Sequence, residues 1–287
     1  MFYKILFFAN MSLHIASLNS GSNGNCYYVG NGTEAVLIDA GISCRETERR
    51  MDKLGLSMGQ VKAIFISHEH ADHIMGLPVL AKIYSLPVYI SEATLRNSRM
   101  TLPPELVYDF TTASINIGGL RVTAFEKLHD AADPYSFIVE GKGIRVGVLT
   151  DIGKVCKQVI HYFRQCHAVF LESNYDEQML REGGYPLRLQ KRISGGKGHL
   201  SNEEALQLFV GHRAPYLSHL LLSHLSQQNN HPDLALDLFS PFAGELTIAV
   251  ASRHEESAVY HIQPNEENSS AHKNLVPFHT VQFSLFG

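Results

Sequence analysis

The sequence predicts an α/β chain in which two sheets pack face to face and carry helices on their outer sides. Three observations lead there. The first half is strand-rich with hairpin turns, the second half alternates strand with helix, and no long linker divides the chain. One doubly wound sheet accommodates the hairpin-rich half less well. With 45% hydrophobic and 18% charged residues among 287, there is ample material for a buried core and no disorder-like composition. A single domain over residues 11–287 is the expectation.

Leu13–Leu18, Cys26–Val29 and Ala35–Asp39 read as successive strands. The segments between them, Ser20-Gly21-Ser22-Asn23-Gly24-Asn25 and Gly30-Asn31-Gly32, consist of turn-forming residues. Arg45–Leu54 has helical periodicity, Val61–Ser67 is a buried strand, Ile74–Tyr84 is helical and Pro87–Ser91 is a strand. Leu120–Lys127, Tyr135–Glu140 and Ile144–Thr150 are strands again, with a turn at Gly141-Lys142-Gly143. The remainder alternates: helix Val155–Arg164, strand Ala168–Leu171, helix Asn202–Val210, strand Leu217–Ser223 and helix Leu234–Phe239. Residues 263–273 are polar and read as a loop.

Composition excludes some functions. A net charge of −4 argues against a chain that binds nucleic acid over its whole surface, but not against a local basic groove. No segment approaches the roughly 18 apolar residues of a membrane helix. The apolar run within Met1–Met11 is about five residues, short of the roughly 7–15 of a secretory leader. A start placed too early, with Met11 the true beginning, fits better, and cytoplasm is the expected compartment. Cys26, Cys44, Cys156 and Cys166 form no CxxC pair, so they read as buried free thiols.

The chemistry is concentrated where the strand Val61–Ser67 stops. His68, His70, Asp72 and His73 follow within six residues, and imidazole and carboxylate are the ligands that divalent ions take. Alternation sends His68 and His70 to one side, while the turn into the next helix lets Asp72 and His73 diverge, the beginnings of a compact two-metal site. His129, Asp151 and His224 each lie just past a strand end, where loops carry function. Singly, each is as readily a capping Asp or a satisfied loop His. Together with the first cluster they read as further ligands.

With its His68-Glu69-His70-Ala71-Asp72-His73, an HxHxDH motif, the chain resembles the metallo-β-lactamase-fold superfamily, and more narrowly the YycJ/WalJ (VicX) group. The resemblance spans about Met11 to Asp237. It includes Ser20–Cys26, Leu37–Gly41, His129–Pro134, Leu171–Asn174, Gly198–Asn202 and Asn229-Asn230. It implies a four-layer αββα sandwich. It also implies that His68, His70 and His129 hold one metal, that Asp72, His73 and His224 hold the other, and that Asp151 bridges them. Asp39 would orient the ligand loop rather than ligate, as carboxylates behind metal-bound imidazoles do; taken alone it is an ordinary Asp in a turn before Gly41.

His199 precedes a capping box made by Ser201 and Glu204, at a helix start suited to meeting a phosphate. The segment Arg181–His199 carries five Lys or Arg against Glu182 alone. It is either a solvated basic loop or one side of a substrate groove. Ser201, Asn202, Arg188, Lys191 and Arg192 are therefore the candidate substrate contacts, and Asp72, Asp151 and His199 the candidate catalytic residues. Two cations about 3.5–4 Å apart lower the pKa of a shared water and provide a bridging hydroxide. The expected activity is phosphodiester hydrolysis, exonuclease-like by resemblance, with Zn²⁺, Mn²⁺ or Fe²⁺ as the ions and nucleic acid as the substrate. A small phosphodiester, thioester or lactone is the alternative, and a non-catalytic metal-binding module the third reading.

Overall fold

The computed structural model describes residues 12–264. The expected start at Met11 and most of the polar loop 263–273 lie outside these residues. The apolar runs pair into two seven-stranded sheets. The first contains β1 (Leu13–Asn19), β2 (Cys26–Gly30), β3 (Ala35–Ile38), β4 (Val61–Phe65), β5 (Val88–Tyr89) and β6 (Val107–Tyr108), with β14 (Tyr260–Ile262) at the edge beside β1. The second contains β7 (Ile115–Ile117), β8 (Leu120–Glu126), β9 (Tyr135–Gly141), β10 (Ile144–Leu149), β11 (Ala168–Glu172), β12 (His219–Ser223) and β13 (Thr247–Val250), in chain order reversed across the sheet. Each sheet is mixed. Hairpins make the antiparallel part, and β3–β6 and β10–β13 run parallel.

The period-two alternation of each strand divides its side chains between layers. Leu13, Val36, Phe65, Val146 and Phe170 point between the sheets, into one core that both share. Leu18, Leu37 and Ile64 point outward, beneath the helices Cys44–Lys53 and Leu77–Tyr84. On the other side Leu149, Val169 and Leu222 meet the helices Lys157–Phe163, Asn202–His212 and Pro232–Phe239. Strands buried on both faces explain why these segments read as continuous apolar runs. The result is helix, sheet, sheet, helix, the four layers expected.

One element departs from its expected form. Ile74–Tyr84 is not a single helix, because Ala71–Ile74 ends before Leu77–Tyr84 begins. Gly76 lies between them. Its N–H donates to the Ala40 carbonyl at 2.9 Å, and a Cβ there would lie 1.8 Å from the Ile42 carbonyl oxygen. Contact with the 40–42 turn breaks the helix. Short elements were also missed, among them the helices Glu92–Ser98, Glu177–Glu182 and Leu187–Ser194. The last turns part of the expected basic loop into a helix.

No helix among the described residues is long and apolar enough to cross a membrane.

Candidate active site

The parallel strands of both sheets end on one edge of the sandwich, and the polar residues collect there. Asp39 follows β3, His68 lies beyond β4, Asp151 lies beyond β10, Glu172 closes β11 and His224 follows β12. Asp39, Asp151 and His224 sit in the left-handed region, at φ 62°, 55° and 58°. That conformation is disfavoured for residues other than Gly, less so for Asp and His than for most, and turns each chain abruptly as it leaves its strand. The early turn is fastened to the His cluster by Asn25 N–H donating to the Asp72 carbonyl at 2.7 Å. Gly41 passes so close that a Cβ would lie 1.7 Å from the same carbonyl oxygen.

Four imidazoles have their outer nitrogen occupied. His73 Nδ1 meets Asp39 Oδ2 at 2.7 Å, and the other Asp39 oxygen accepts from Ser67 N–H at 2.8 Å. His68 Nδ1 lies 2.9 Å from Ser67 Oγ, and His129 Nδ1 lies 2.9 Å from the Gly198 carbonyl. His224 Nδ1 lies 3.2 Å from Glu172 Oε1. Carbonyl and carboxylate oxygens accept, so they place protons on Nδ1 of His73, His129 and His224; Ser67 Oγ, which spends its own proton on Asp39 Oδ2, accepts from His68 in the same way. Nε2 of each ring then faces inward.

Inward, the donors converge. His68 Nε2 and His129 Nε2 lie 3.1 and 3.4 Å from His70 Nδ1. Asp72 Oδ2 lies 3.5 Å from His73 Nε2 and 3.4 Å from His224 Nε2. Asp151 stands between the two sets. Its Oδ1 is 3.8 Å from His129 Nε2 and 3.5 Å from His224 Nε2, and its Oδ2 is 3.3 Å from His73 Nε2. These residues include the triads His68, His70, His129 and Asp72, His73, His224, whose donor atoms lie within 4.8 Å of one another in each.

The donor set fits a pair of divalent ions. Lone pairs of imidazoles facing one another at hydrogen-bond distance cannot all be satisfied by protons, whereas a shared cation satisfies them together. Asp151 Oδ2, buried in this ring, makes no well-aligned hydrogen bond, its one near neighbour being His73 Nε2 at 3.3 Å. Buried polar atoms of that kind call for an explanation, and an ion supplies one.

Electrostatics divides the two triads. Burial holds His68 well below the usual histidine value and pushes His129 down to about 4. Burial acts the same way on His73, but Asp151, Asp39 and Asp72 outweigh it and hold that imidazole well above its ordinary value. His224 is lifted to about 10 against its own burial, by Asp151, Asp72 and Glu172. Burial would raise Asp72 too, yet His73 and His224 keep it below the usual carboxylate range.

Sequence reasoning assigned no role to Glu172. Fully buried, it accepts from His199 Nδ1 at 2.7 Å and His224 Nδ1 at 3.2 Å with one oxygen. The other accepts from the backbone N–H groups of Ile152 at 2.6 Å and Leu200 at 3.2 Å. Although burial raises it, His199 and His224 bring it down to about 2. The available signal was a glutamate ending an otherwise apolar strand, level with the ends of its neighbours.

A pocket of about 360 Å³ opens over this cluster, lined by His70, Asp72, Asp151, His199 and His224 among others. Arg192, on the helix Leu187–Ser194, also lines it, with its Nε donating to Asp130 Oδ2 at 2.5 Å. The other candidate substrate contacts are placed differently. Ser201 and Asn202 are buried and outside the pocket. Ser201 Oγ accepts from Glu204 N–H in the capping box, so the helix start is already satisfied, and Asn202 bonds Ser173 and Asn230. Arg188 and Lys191 are exposed on the same helix as Arg192 but do not line the pocket. Spacing on an eight-residue helix lets only one face meet the pocket.

Two sheets sharing a core, helices outside and a His/Asp cluster at the strand ends on one edge define a hydrolase of the metallo-β-lactamase fold. The chain belongs to the beta-lactamase superfamily, whose domain profile matches residues 34–224. Its place there is with the YycJ/WalJ group. It is 35% identical over 229 residues to the exodeoxyribonuclease YycJ of Bacillus anthracis, covering 78% of this chain and 87% of that protein. It is 31% identical over 227 residues to the exodeoxyribonuclease WalJ of Streptococcus pneumoniae D39, covering 76% and 83%. In structure it is similar to the metallo-β-lactamase-fold protein YhfI of Bacillus subtilis, with a TM-score of 0.66 at 18% identity over 87% of this chain and 99% of that one.

Proposed function

We propose that the chain is a two-metal phosphodiesterase that degrades DNA from its ends and works in the cytoplasm. The observation that carries the reading is the shared carboxylate of Glu172, which ties His199, on the pocket wall, to His224 in the metal-binding cluster. His68, His70 and His129 would hold one ion and Asp72, His73 and His224 the other, with Asp151 between. A ligand set of imidazole and carboxylate without thiolate suits Zn²⁺ or Mn²⁺. Bound there, the ions supply a hydroxide at neutral pH and offset charge at the attacked phosphorus.

The chain's own residues do the rest. With Nδ1 of His199 occupied by Glu172, its Nε2 is the atom left to act on substrate. Protonated there, it donates to the oxygen leaving phosphorus, a role worth about 10²–10⁴ in rate for a placed general acid. Arg192 at the rim offers a planar guanidinium to a substrate phosphate, in competition with Asp130. The names of the two relatives supply the choice of DNA over a small diester, and the basic helix Leu187–Ser194 agrees with it.

The test is metal-dependent loss of end label from double- and single-stranded DNA and RNA, comparing wild type with Asp151→Ala and His199→Ala. Wild type should release label in Mn²⁺ or Zn²⁺, Asp151→Ala should not, and His199→Ala should be about 10²-fold slower or worse. Hydrolysis of a thioester, lactone or small phosphodiester without attack on any polynucleotide would overturn the nuclease reading.

A further inference from the structure

Arg253 lies beyond the stretch in which the sequence motifs were recognised. It follows β13, and its backbone is stitched to the early turn. Ser20 N–H donates to the Ser252 carbonyl at 3.1 Å, and Asn23 Nδ2 donates to the Arg253 carbonyl at 2.7 Å. The side chain then lies over Gly21, where a Cβ would approach Nη2 to 2.9 Å and the Leu225 carbonyl oxygen to 3.4 Å. Ser22 and Ser226, the residues that follow Gly21 and Leu225, both line the pocket. Tyr185, another pocket residue, is the one titratable neighbour acting on the guanidinium. The guanidinium does not itself line the pocket; it lies against Gly21, immediately behind Ser22 of the pocket wall.

Its bonding sets it apart. Arg50 bonds Glu46, Asn19 and two carbonyls; Arg145 and Arg121 pair with Glu140; Arg192 pairs with Asp130. Arg253 is half-buried, yet its guanidinium has no hydrogen-bond or ion-pair partner among the described residues, and its Nε is fully sealed from solvent. Burial opposes the charge, and no carboxylate compensates. A partly desolvated guanidinium held in place by its backbone, beside a polar pocket and without a counter-charge, is costly unless a ligand completes it.

We infer that Arg253 binds a backbone phosphate of the substrate next to the one being cleaved, where the strand leaves the pocket past Ser22. The forked donors of a guanidinium match phosphate geometry, and Arg192, the arginine that lines the pocket, is already neutralised by Asp130. The inference rests on the nucleic-acid reading above and assigns that reading a grip residue outside the metal cluster.

The experiment measures binding of a fluorescent phosphorothioate-linked DNA oligonucleotide, which resists cleavage, to the metal-loaded full chain over a range of salt concentrations. Arg253→Ala should raise Kd about tenfold or more, as expected for one charge-assisted hydrogen bond. It should also reduce the slope of log Kd against log salt by about one, the signature of one lost phosphate contact. Arg253→Lys should restore the slope while recovering only part of the affinity. A merely structural role would not restore the slope through charge. Wild type and Arg253→Ala binding with equal slopes would overturn this inference and leave the nuclease reading standing. A wild type that binds no oligonucleotide would overturn both.

Discussion

Replacing Glu172 by Gln tests whether one buried carboxylate sets the working geometry of two imidazoles. Four N–H groups converge on its two oxygens: His199 Nδ1 at 2.7 Å, His224 Nδ1 at 3.2 Å, Ile152 N at 2.6 Å and Leu200 N at 3.2 Å. An amide offers one acceptor oxygen and one donor nitrogen. If the nitrogen faces the backbone pair, two buried N–H groups are stranded; if it faces the imidazoles, both lose the acceptor that fixes their tautomer. Each stranded donor costs about 1–3 kcal/mol, so the local penalty is roughly 2–6 kcal/mol unless the rings turn. Turned rings would misdirect Nε2 of His224 and His199. The expected result is lower stability in urea, metal retention weakened about 10–100-fold, and DNA cleavage reduced at least as much. Urea unfolding, metal content after dialysis and end-label release measure the three. A Gln variant within twofold of wild type in all of them would refute the reasoning.

Metal loading should release protons unevenly. His68 and His129 are held low by burial and can accept a cation directly, whereas His73 and His224 are held high by their carboxylates and must first deprotonate. Titration calorimetry in buffers of different ionisation enthalpy should resolve one loading event with little proton release and a second with more, its affinity rising with pH; equal release in both would contradict the division. The metal-free chain should lose stability in alkali. His224 is raised to about 10 from an ordinary 6.5, so its stabilisation is complete below about 6.5 and lost as pH climbs through 10. A melting temperature that falls over that window in wild type and less in His224→Gln is expected, and parallel curves would count against it. Asp39→Asn should weaken metal binding about 10–100-fold by loosening His73, measured by chelator competition; unchanged affinity would show that Ser67 and packing suffice.

Much of this was readable beforehand because the relevant signals are local. A strand buried on both faces is a continuous apolar run, and a ligand cluster at its end interrupts that run visibly, as His68–His73 do after Val61–Phe65. Sequence also brought His129, Asp151 and His224 into consideration, since each follows a strand. It failed where function depends on pairs far apart in the chain. Glu172 matters because it touches residues 27 and 52 positions away, and nothing in its neighbourhood announces that. Ser201 looked like a phosphate contact because a helix start looks the same in sequence whether or not protein already satisfies it. The helix Leu187–Ser194 went unnoticed because Gly183-Gly184 and Gly195-Gly196 bracket only about two turns, too few for a period to emerge.

The left-handed backbone at Asp39, Asp151 and His224 sets two kinds of selection against each other. At each position glycine would relieve about 1–2 kcal/mol of conformational cost. Glycine would also delete a carboxylate or imidazole from the cluster. A library screened for heat resistance would therefore accept glycine only where that relief outweighs the buried bonds lost with the side chain, such as those of Asp39 to His73 and Ser67 or of His224 to Glu172. One screened for turnover would reject it at all three. Where the two screens disagree, the side chain is kept for chemistry rather than for stability.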